Sequence, residues 1–473
     1  MTPTGLDTTS PNLCSILAEG ASLVLALRAQ ETMVFLKCNA TTHDSLGVVE
    51  VDMTTADKVL SNPAYDFAGT LSYTCLIEPL KFQRAVERAL LLFPVIAGTV
   101  NLEAQKLILS NTGVFFEHAS CNEEIDDAKF QIEKLYSKTL AESHLEKGTN
   151  CSLRLTTFKR ATLLDFRFRH ACGDGDTFFA FLHTTSEAYE SLALSRTASR
   201  LVRNPLGGWP ACNLPDLLSK GRLEGTCIQD VNEAQVKELQ ENIGRTINSM
   251  TFMSKMYSKS QLATLKAKAL ATKPADVEYI STMDVALSQW YKFLNTKIRW
   301  SKDNPCPFET FELMFIVNFR KRFPHLWEEN LVGNHFCGMS ACFTPQMWSS
   351  CTPGELAAVI RRAINRLNIE YLCIEEAWKS ERKMGTYECV QVMRAWDETN
   401  ADNMAGGIAS DWTKFPIFES KFEGQAPQKF DLDPSGLVIP WMTVITQTTD
   451  GGINMSCKVP DEFVSKFDST EVM

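Results

Sequence analysis

The sequence has no excess of positive charge. Lysine and arginine total 47 against 57 aspartates and glutamates, a net charge of −10. Nucleic acid and anionic membrane surfaces both favour a basic face, so neither is expected as a partner. There is no paired-cysteine motif. None of the 15 cysteines stands as CxxC, and the nearest two, Cys337 and Cys342, are too isolated to build a four-ligand zinc site. An odd number of scattered thiols points to reduced cysteines in a cytoplasmic protein. No apolar run approaches the ~20 residues of a membrane span. The nearest, SILAEGASLVLAL at 15–27, is broken by Glu19, follows no basic leader, and reads as an appended surface element. Internal repeats, low-complexity tracts, a nucleophile elbow, a phosphate loop and a dinucleotide fingerprint are also missing from the pattern.

What remains is a globular composition, 44% apolar and 22% charged, in a chain of 473 residues that calls for two or three domains. Strand-like and helix-like stretches alternate, which predicts a mixed α/β fold. GTLSYTCLI (69–77) reads as a strand, and 78–94 as a helix with Pro79 in its first turn, Leu80, Val86, Leu90 and Phe93 on one face, and Pro94 as its stop. VIAGTV and KLILS then return to extended structure. Residues 177–192 read as a helix; so do 232–245, 259–270 and 280–295. In 352–368 a helix opens on a Thr352/Glu355 capping box with Pro353 in its first turn. Residues 309–323 read as a strand, and 441–459 as two strands joined by an Asp-Gly-Gly turn. Between Leu194 and Arg222, three prolines and a Gly-Gly pair interrupt all periodicity, so 194–225 is expected to link a domain of residues 1–193 to one of 226–473.

The stretch FRFRHACGDGDTFFAFL (166–182) carries the chemistry. TLLDFRF (162–168) alternates: Leu164, Phe166 and Phe168 share one face, while Asp165, Arg167 and Arg169 are expected to look outward. His170 has the parity of the apolar face and sits at the strand end. Metal binding by His170, Asp174 and Asp176 lacks further histidine or cysteine ligands, and the intervening Gly173 and Gly175 suit a tight turn instead. A hydrogen-bonded core histidine is the plain alternative. A glycine-rich bend, an aspartate four residues on and an amphipathic helix are more than packing requires. The remaining reading is a general base, an imidazole that takes a proton from an attacking hydroxyl or amine, with Asp174 locking the bend.

His170-Ala171-Cys172-Gly173-Asp174-Gly175 resembles the HxxxDG motif of the BAHD-type, CoA-dependent acyltransferases. Other blocks follow in the family's order: LKFQRAVERALLLFPVIAG (80–98), VNFRKRF (317–323) with LVGNHF (331–336), SDWTKFPIFESKFEGQAP (410–427) and TDGGINMSCKVPDEFVSKF (449–467). The resemblance runs from about residue 47 onward. It implies two similar-sized α/β domains of the chloramphenicol-acetyltransferase type, each a mixed sheet with flanking helices, with a channel between them and a segment near 418–450 packed on the first domain's sheet. It further implies a monomeric enzyme of specialised metabolism with acyl-CoA as cosubstrate, a small alcohol or amine as acceptor, and no metal or permanently bound cofactor. By motif position, His170 is the general base, attack is direct without an acyl-enzyme, Asp174 orients the motif by pairing with Arg320, and Trp412 donates to the oxyanion or is a packed strand aromatic.

The chain departs from the family where DFGWG has become Lys421-Phe422-Glu423-Gly424-Gln425 and where Asn318 replaces a common aspartate. Lys421 cannot make the ion pair of the aspartate it replaces, so contacts there must be rebuilt. The first 46 residues have no family counterpart, and the divergence resembles a fungal branch. Two alternatives stand beside this reading: an acyltransferase of related fold that draws on a carrier protein, and a member that has lost catalysis and only binds.

Overall fold

The computed structural model describes residues 32–36, 48–61, 65–121, 148–196, 200–201, 250–300, 305–306, 309–320, 322–323, 330–369, 371–372, 407–432 and 441–466. The apolar stretch at 15–27, the helix expected at 232–245 and most of the expected linker lie outside them. Two six-stranded mixed sheets organise the described residues, and their strands are numbered here in chain order. The first contains β1 (Thr32–Leu36), β2 (Phe67–Tyr73), β3 (Val114–Ser120), β4 (Cys151–Thr157), β5 (Thr162–Phe168) and β10 (Lys429–Leu432), in the order β1-β3-β4-β5-β2-β10. The second contains β6 (Met250–Tyr257), β7 (Phe311–Asn318), β8 (Phe336–Phe343), β9 (Gly407–Asp411), β11 (Met442–Gln447) and β12 (Ile453–Pro460), in the order β6-β12-β11-β9-β7-β8. β3 runs parallel to β4, and β9 runs parallel to both β7 and β11; the other pairings are antiparallel.

β10 crosses between the halves of the chain. Lys429–Leu432 pairs with Ser72–Gly69, so a segment from the C-terminal half forms an edge of the first sheet. β11 and β12 are the two strands expected at 441–459, joined through a turn in which Gly451 takes φ +80°.

Helices α1 (Pro79–Leu90) and α2 (Gly175–Tyr189) cover one face of the first sheet. Phe82 of α1 meets Phe116 at 5.8 Å, and Phe178 of α2 packs on Phe166 at 4.2 Å. The buried face of α1 is Phe82, Ala85, Val86, Ala89 and Leu90. Leu80, expected on that face, is 60% exposed: two residues before Phe82, it points to the opposite side of the helix. Pro94 opens a short helix, Pro94–Ala97, rather than an extended segment, and strand structure resumes only at Thr99. Proline at the first helical position has the required φ and no N–H to satisfy, so it starts a helix as readily as it stops one.

β5 corrects a second expectation. All seven of its residues are buried, and the charged side chains Asp165, Arg167 and Arg169 are buried with them. Arg154 Nη2 lies 2.5 Å from Glu117 Oε2, and Thr70 donates to Asp165 at 2.5 Å. Register places Glu117, Arg154, Asp165 and Thr70 in one cross-strand row. Alternation located the charges on one face; they sit there as buried, partnered groups, because that face is not open to solvent.

On the second sheet, α3 (Lys259–Leu270), α4 (Thr282–Phe293) and α5 (Pro353–Asn365) pack together. The Thr352/Glu355 capping box is formed, and Ser258/Gln261 and Ser281/Asp284 make two more. Trp290 Nε1 donates to Thr443 Oγ1, and Tyr291 donates to the Ile408 carbonyl, which fixes α4 on β11 and β9.

Candidate active site

β5 ends at Phe168, and a single 3-10 turn, His170–Cys172, joins it to α2. Gly173 and Gly175 permit the turn because side chains from elsewhere in the protein approach closely. A Cβ on Gly173 would meet the Thr177 side chain at 2.8 Å, and one on Gly175 would run into the Phe415 ring.

Asp174 is the N-cap of α2. Its Oδ1 accepts from Thr177 N and Thr177 Oγ1, each at 3.1 Å. The same carboxylate is held by Arg320, whose Nη1 donates to Oδ2 at 2.6 Å and whose Nη2 donates to Oδ1 at 3.1 Å. Arg320 also donates to the Gly333 carbonyl at 2.8 Å, and the His335 N–H donates to Asp174 Oδ2 at 3.2 Å. Burial alone would raise the Asp174 pKa. The Arg320 charge and hydrogen bonds and the His335 N–H outweigh it and hold the carboxyl below its ordinary value near 3.8. The buried fork-on-fork pair thus ties the turn after β5 to the turn after β7. Asp176, outside the motif, lies in the first turn of α2 with Oδ2 3.9 Å from Arg320 Nε.

His170 is clamped through its backbone on both sides. Its N–H donates to Asp66 Oδ1 at 3.2 Å, and its carbonyl accepts from Asn334 Nδ2 at 2.8 Å. Asn334 is held in turn by Asp57 Oδ1 at 3.0 Å, and Asp57 caps the short helix Thr55–Val59. The imidazole packs edge-on against Phe67, with centroids 5.3 Å apart, and lies 6.0 Å from Phe336. Among the described residues no group makes a hydrogen bond of proper geometry to Nδ1. Burial lowers the His170 pKa below its ordinary 6.5; its own carbonyl, Asp174, Asn334 and Gly173 oppose that shift without cancelling it. At neutral pH the ring is therefore uncharged and able to accept a proton.

Trp412 belongs to the same aromatic body as His170. Its ring centroid is 5.7 Å from that of Phe67, the ring against which His170 packs, and it also meets Phe179, Phe415 and Phe430. Its indole N–H donates to Ser410 Oγ at 2.9 Å. The structure thus brings His170, Asp174, Arg320 and Trp412 into one region and adds Asp57, Asp66, Asn334 and Ser410. Asp57 and Asp66 act on a backbone group or a cap, which leaves no spacing in the sequence to find; Asn334 and Ser410 stood inside the quoted blocks LVGNHF and SDWTKFPIFESKFEGQAP without a role.

The degenerate block is a tight turn whose contacts are replaced by different ones. Phe422 and Gln425 exchange backbone hydrogen bonds around Glu423 and Gly424, at φ +50° and +70°. Phe422 is buried against Tyr73, Phe82 and Tyr189. Glu423 accepts from the Tyr189 hydroxyl and from Lys81, and Glu190 accepts from the Gly424 N–H. The anchoring carboxylates are Glu423 and Glu190, in place of an aspartate at 421.

No group of three or more histidine, cysteine, aspartate or glutamate side chains among the described residues is arranged to hold a metal ion, and no helix there is long and apolar enough to cross a membrane. A family model described as the transferase family matches residues 31–469. Solved structures similar to this chain include vinorine synthase, at 11% identity and TM-score 0.67 over 93% of this chain and 97% of the other. TRI101 of F. graminearum, solved with coenzyme A and T-2 mycotoxin, is 14% identical with TM-score 0.67 over 88% and 96%. The first condensation domain of the CDA synthetase is 11% identical with TM-score 0.56 over 90% and 93%. No curated protein matches by sequence. At these identities the likeness is one of fold.

Proposed function

The chain belongs to the transferase family of acyltransferases, and on that premise we propose that it moves an acyl group from coenzyme A to a hydroxyl or amine of a small, partly apolar metabolite. The observation that carries this reading is a half-buried, uncharged imidazole whose backbone N–H and carbonyl are both held by side chains from distant parts of the chain. A base fixed in this way can take the acceptor's proton as its oxygen or nitrogen attacks the thioester carbonyl. The carbonyl π electrons move onto oxygen and return as the carbon–sulfur bond breaks, and the proton on His170 passes to the departing thiolate. No acyl-enzyme is needed.

Charge on the carbonyl oxygen calls for a donor placed in advance. With the Trp412 N–H donating to Ser410 Oγ, the Ser410 hydroxyl keeps its own proton to give, so the pair acts as a relay in which Ser410 is the terminal donor. Asp174 and Arg320 serve architecture; their pairing keeps the carboxylate turned into the protein and the motif in register. TRI101, solved with coenzyme A and a mycotoxin, supports this choice of cosubstrate and acceptor size.

The test is release of free coenzyme A from a panel of acyl-CoAs with candidate alcohols and amines, using wild type and His170→Ala. Acceptor-dependent release by wild type alone supports the reading. Equal release by both sinks it. The likeness to a condensation domain favours a second reading, in which the donor is an acyl-carrier protein; turnover of carrier-bound acyl groups but of no acyl-CoA would decide for it.

A further inference from the structure

Asp66 stands immediately before β2, 104 residues ahead of the histidine in the chain, and is fully buried. Its Oδ1 takes the N–H of His170, and its Oδ2 lies 4.0 Å from Arg167 Nε. Arg167 and Arg169 of the neighbouring strand and turn are the cations that bear on it. Its neighbour Phe67 supplies the ring against which the imidazole packs, so the segment that begins β2 holds both the backbone and the side chain of the histidine. From the other side, Asn334, fixed by Asp57, takes the His170 carbonyl. Asp174 secures the start of α2 and makes no bond to the His170 backbone.

We propose that Asp66 is a positioning residue for the catalytic base, and that its ionised carboxylate, through the charge-assisted bond to the His170 N–H, keeps the imidazole in its working orientation. The proposal rests on the acyltransferase reading only for its kinetic consequence. A carboxylate accepts an N–H more strongly than a carboxylic acid does, so protonating Asp66 loosens the hold on His170. Burial, only partly offset by Arg167, Arg169 and the His170 N–H, raises the Asp66 pKa from 3.8 to about 6. The hold therefore weakens just below neutrality. The same shift acts against stability. A carboxyl whose folded pKa lies above its unfolded one stabilises the fold fully at low pH, and that contribution is lost as pH rises through about 6. At pH 7.5 Asp66 is thus a burden on the fold retained beside the base.

The experiment uses Asp66→Asn in the full chain with three readouts. Melting temperature is followed from pH 5 to 8. Asp66→Asn is expected to melt above wild type at pH 7.5, with the gap closing toward pH 5; a purely structural role predicts a variant that melts lower throughout. In protein carrying 15N-histidine, the His170 amide is expected to titrate near pH 6 in wild type and not in Asp66→Asn. Turnover of an acyl-CoA found active with wild type is expected to fall about three- to tenfold at pH 7.5, the worth of a weakened charge-assisted hydrogen bond, with KM for the acyl-CoA unchanged and the acid limb displaced to lower pH. A His170 amide that does not titrate near pH 6, or a variant with wild-type kcat and acid limb, overturns the proposal. If no acyl-CoA is turned over by wild type, the functional reading fails, and the amide titration still decides whether Asp66 governs the His170 backbone.

Discussion

Replacing His170 by alanine is expected to lower turnover about 10²- to 10⁴-fold, the usual worth of a positioned general base, with the circular dichroism spectrum unchanged. Because burial keeps the His170 pKa below 6.5, wild-type kcat/KM should stay on its plateau from pH 8 to 7 and fall only below pH 6.5, as a pH–rate profile would record. Arg320→Met asks a different question of the same turn. It leaves Asp174 buried without its cation, a loss of about 3–5 kcal/mol expected in urea denaturation, and it should cost stability before any effect on the chemical step is measured. His170, Asp174 and Arg320 were legible because each belongs to a spaced pattern that resembles a family block. Asp66 was not, and Asn334, though inside the quoted block LVGNHF, carried no role. Each grips a backbone group more than 100 residues away, and a bond to the backbone carries no side-chain signature at its far end.

Helices with capping boxes were the most legible elements, because the signal is local: a hydroxyl and an acceptor three residues apart, each satisfying the other's N–H. What joins one helix to the next was invisible. Asp284, the capping residue at the start of α4, is also the buried partner of Arg361 in α5, with Nε and Nη2 at 2.8 and 2.6 Å from the same oxygen. Arg361→Met is expected to destabilise the protein by about 3–5 kcal/mol in urea denaturation, since it strands a buried carboxylate; Ser281→Ala, which removes only a cap bond, should lose about 1 kcal/mol. The charges of β5 were misread for a related reason. Alternation reports which side chains share a face, and says nothing of whether water or protein covers it.

At the scale of the whole molecule, β10 ties the end of the chain to its beginning. Phe430 lies between Phe166, Phe179 and Trp412, so Phe430→Ala is expected to lower stability by about 3–5 kcal/mol. With β10 in one half's sheet and the Asp174–Arg320 pair spanning both halves, unfolding followed by calorimetry should show one transition, and the variant should lower it without splitting it. No local pattern near residue 430 says which strand it will join. Strand pairing over this separation is decided by a finished sheet edge, which the sequence around 430 does not describe. The crossing has a consequence for how the protein is made. Strands β2 and β5 leave the ribosome long before Lys429–Leu432, and at ~5–20 residues per second the edge beside β2 stays open for on the order of half a minute. During that interval a nascent chain carries the complete histidine motif and neither the Arg320 clamp at first nor the last strand of its sheet. Any truncation before residue 429 therefore yields a product with an exposed sheet edge, prone to pair with another chain and fit for proteolytic disposal.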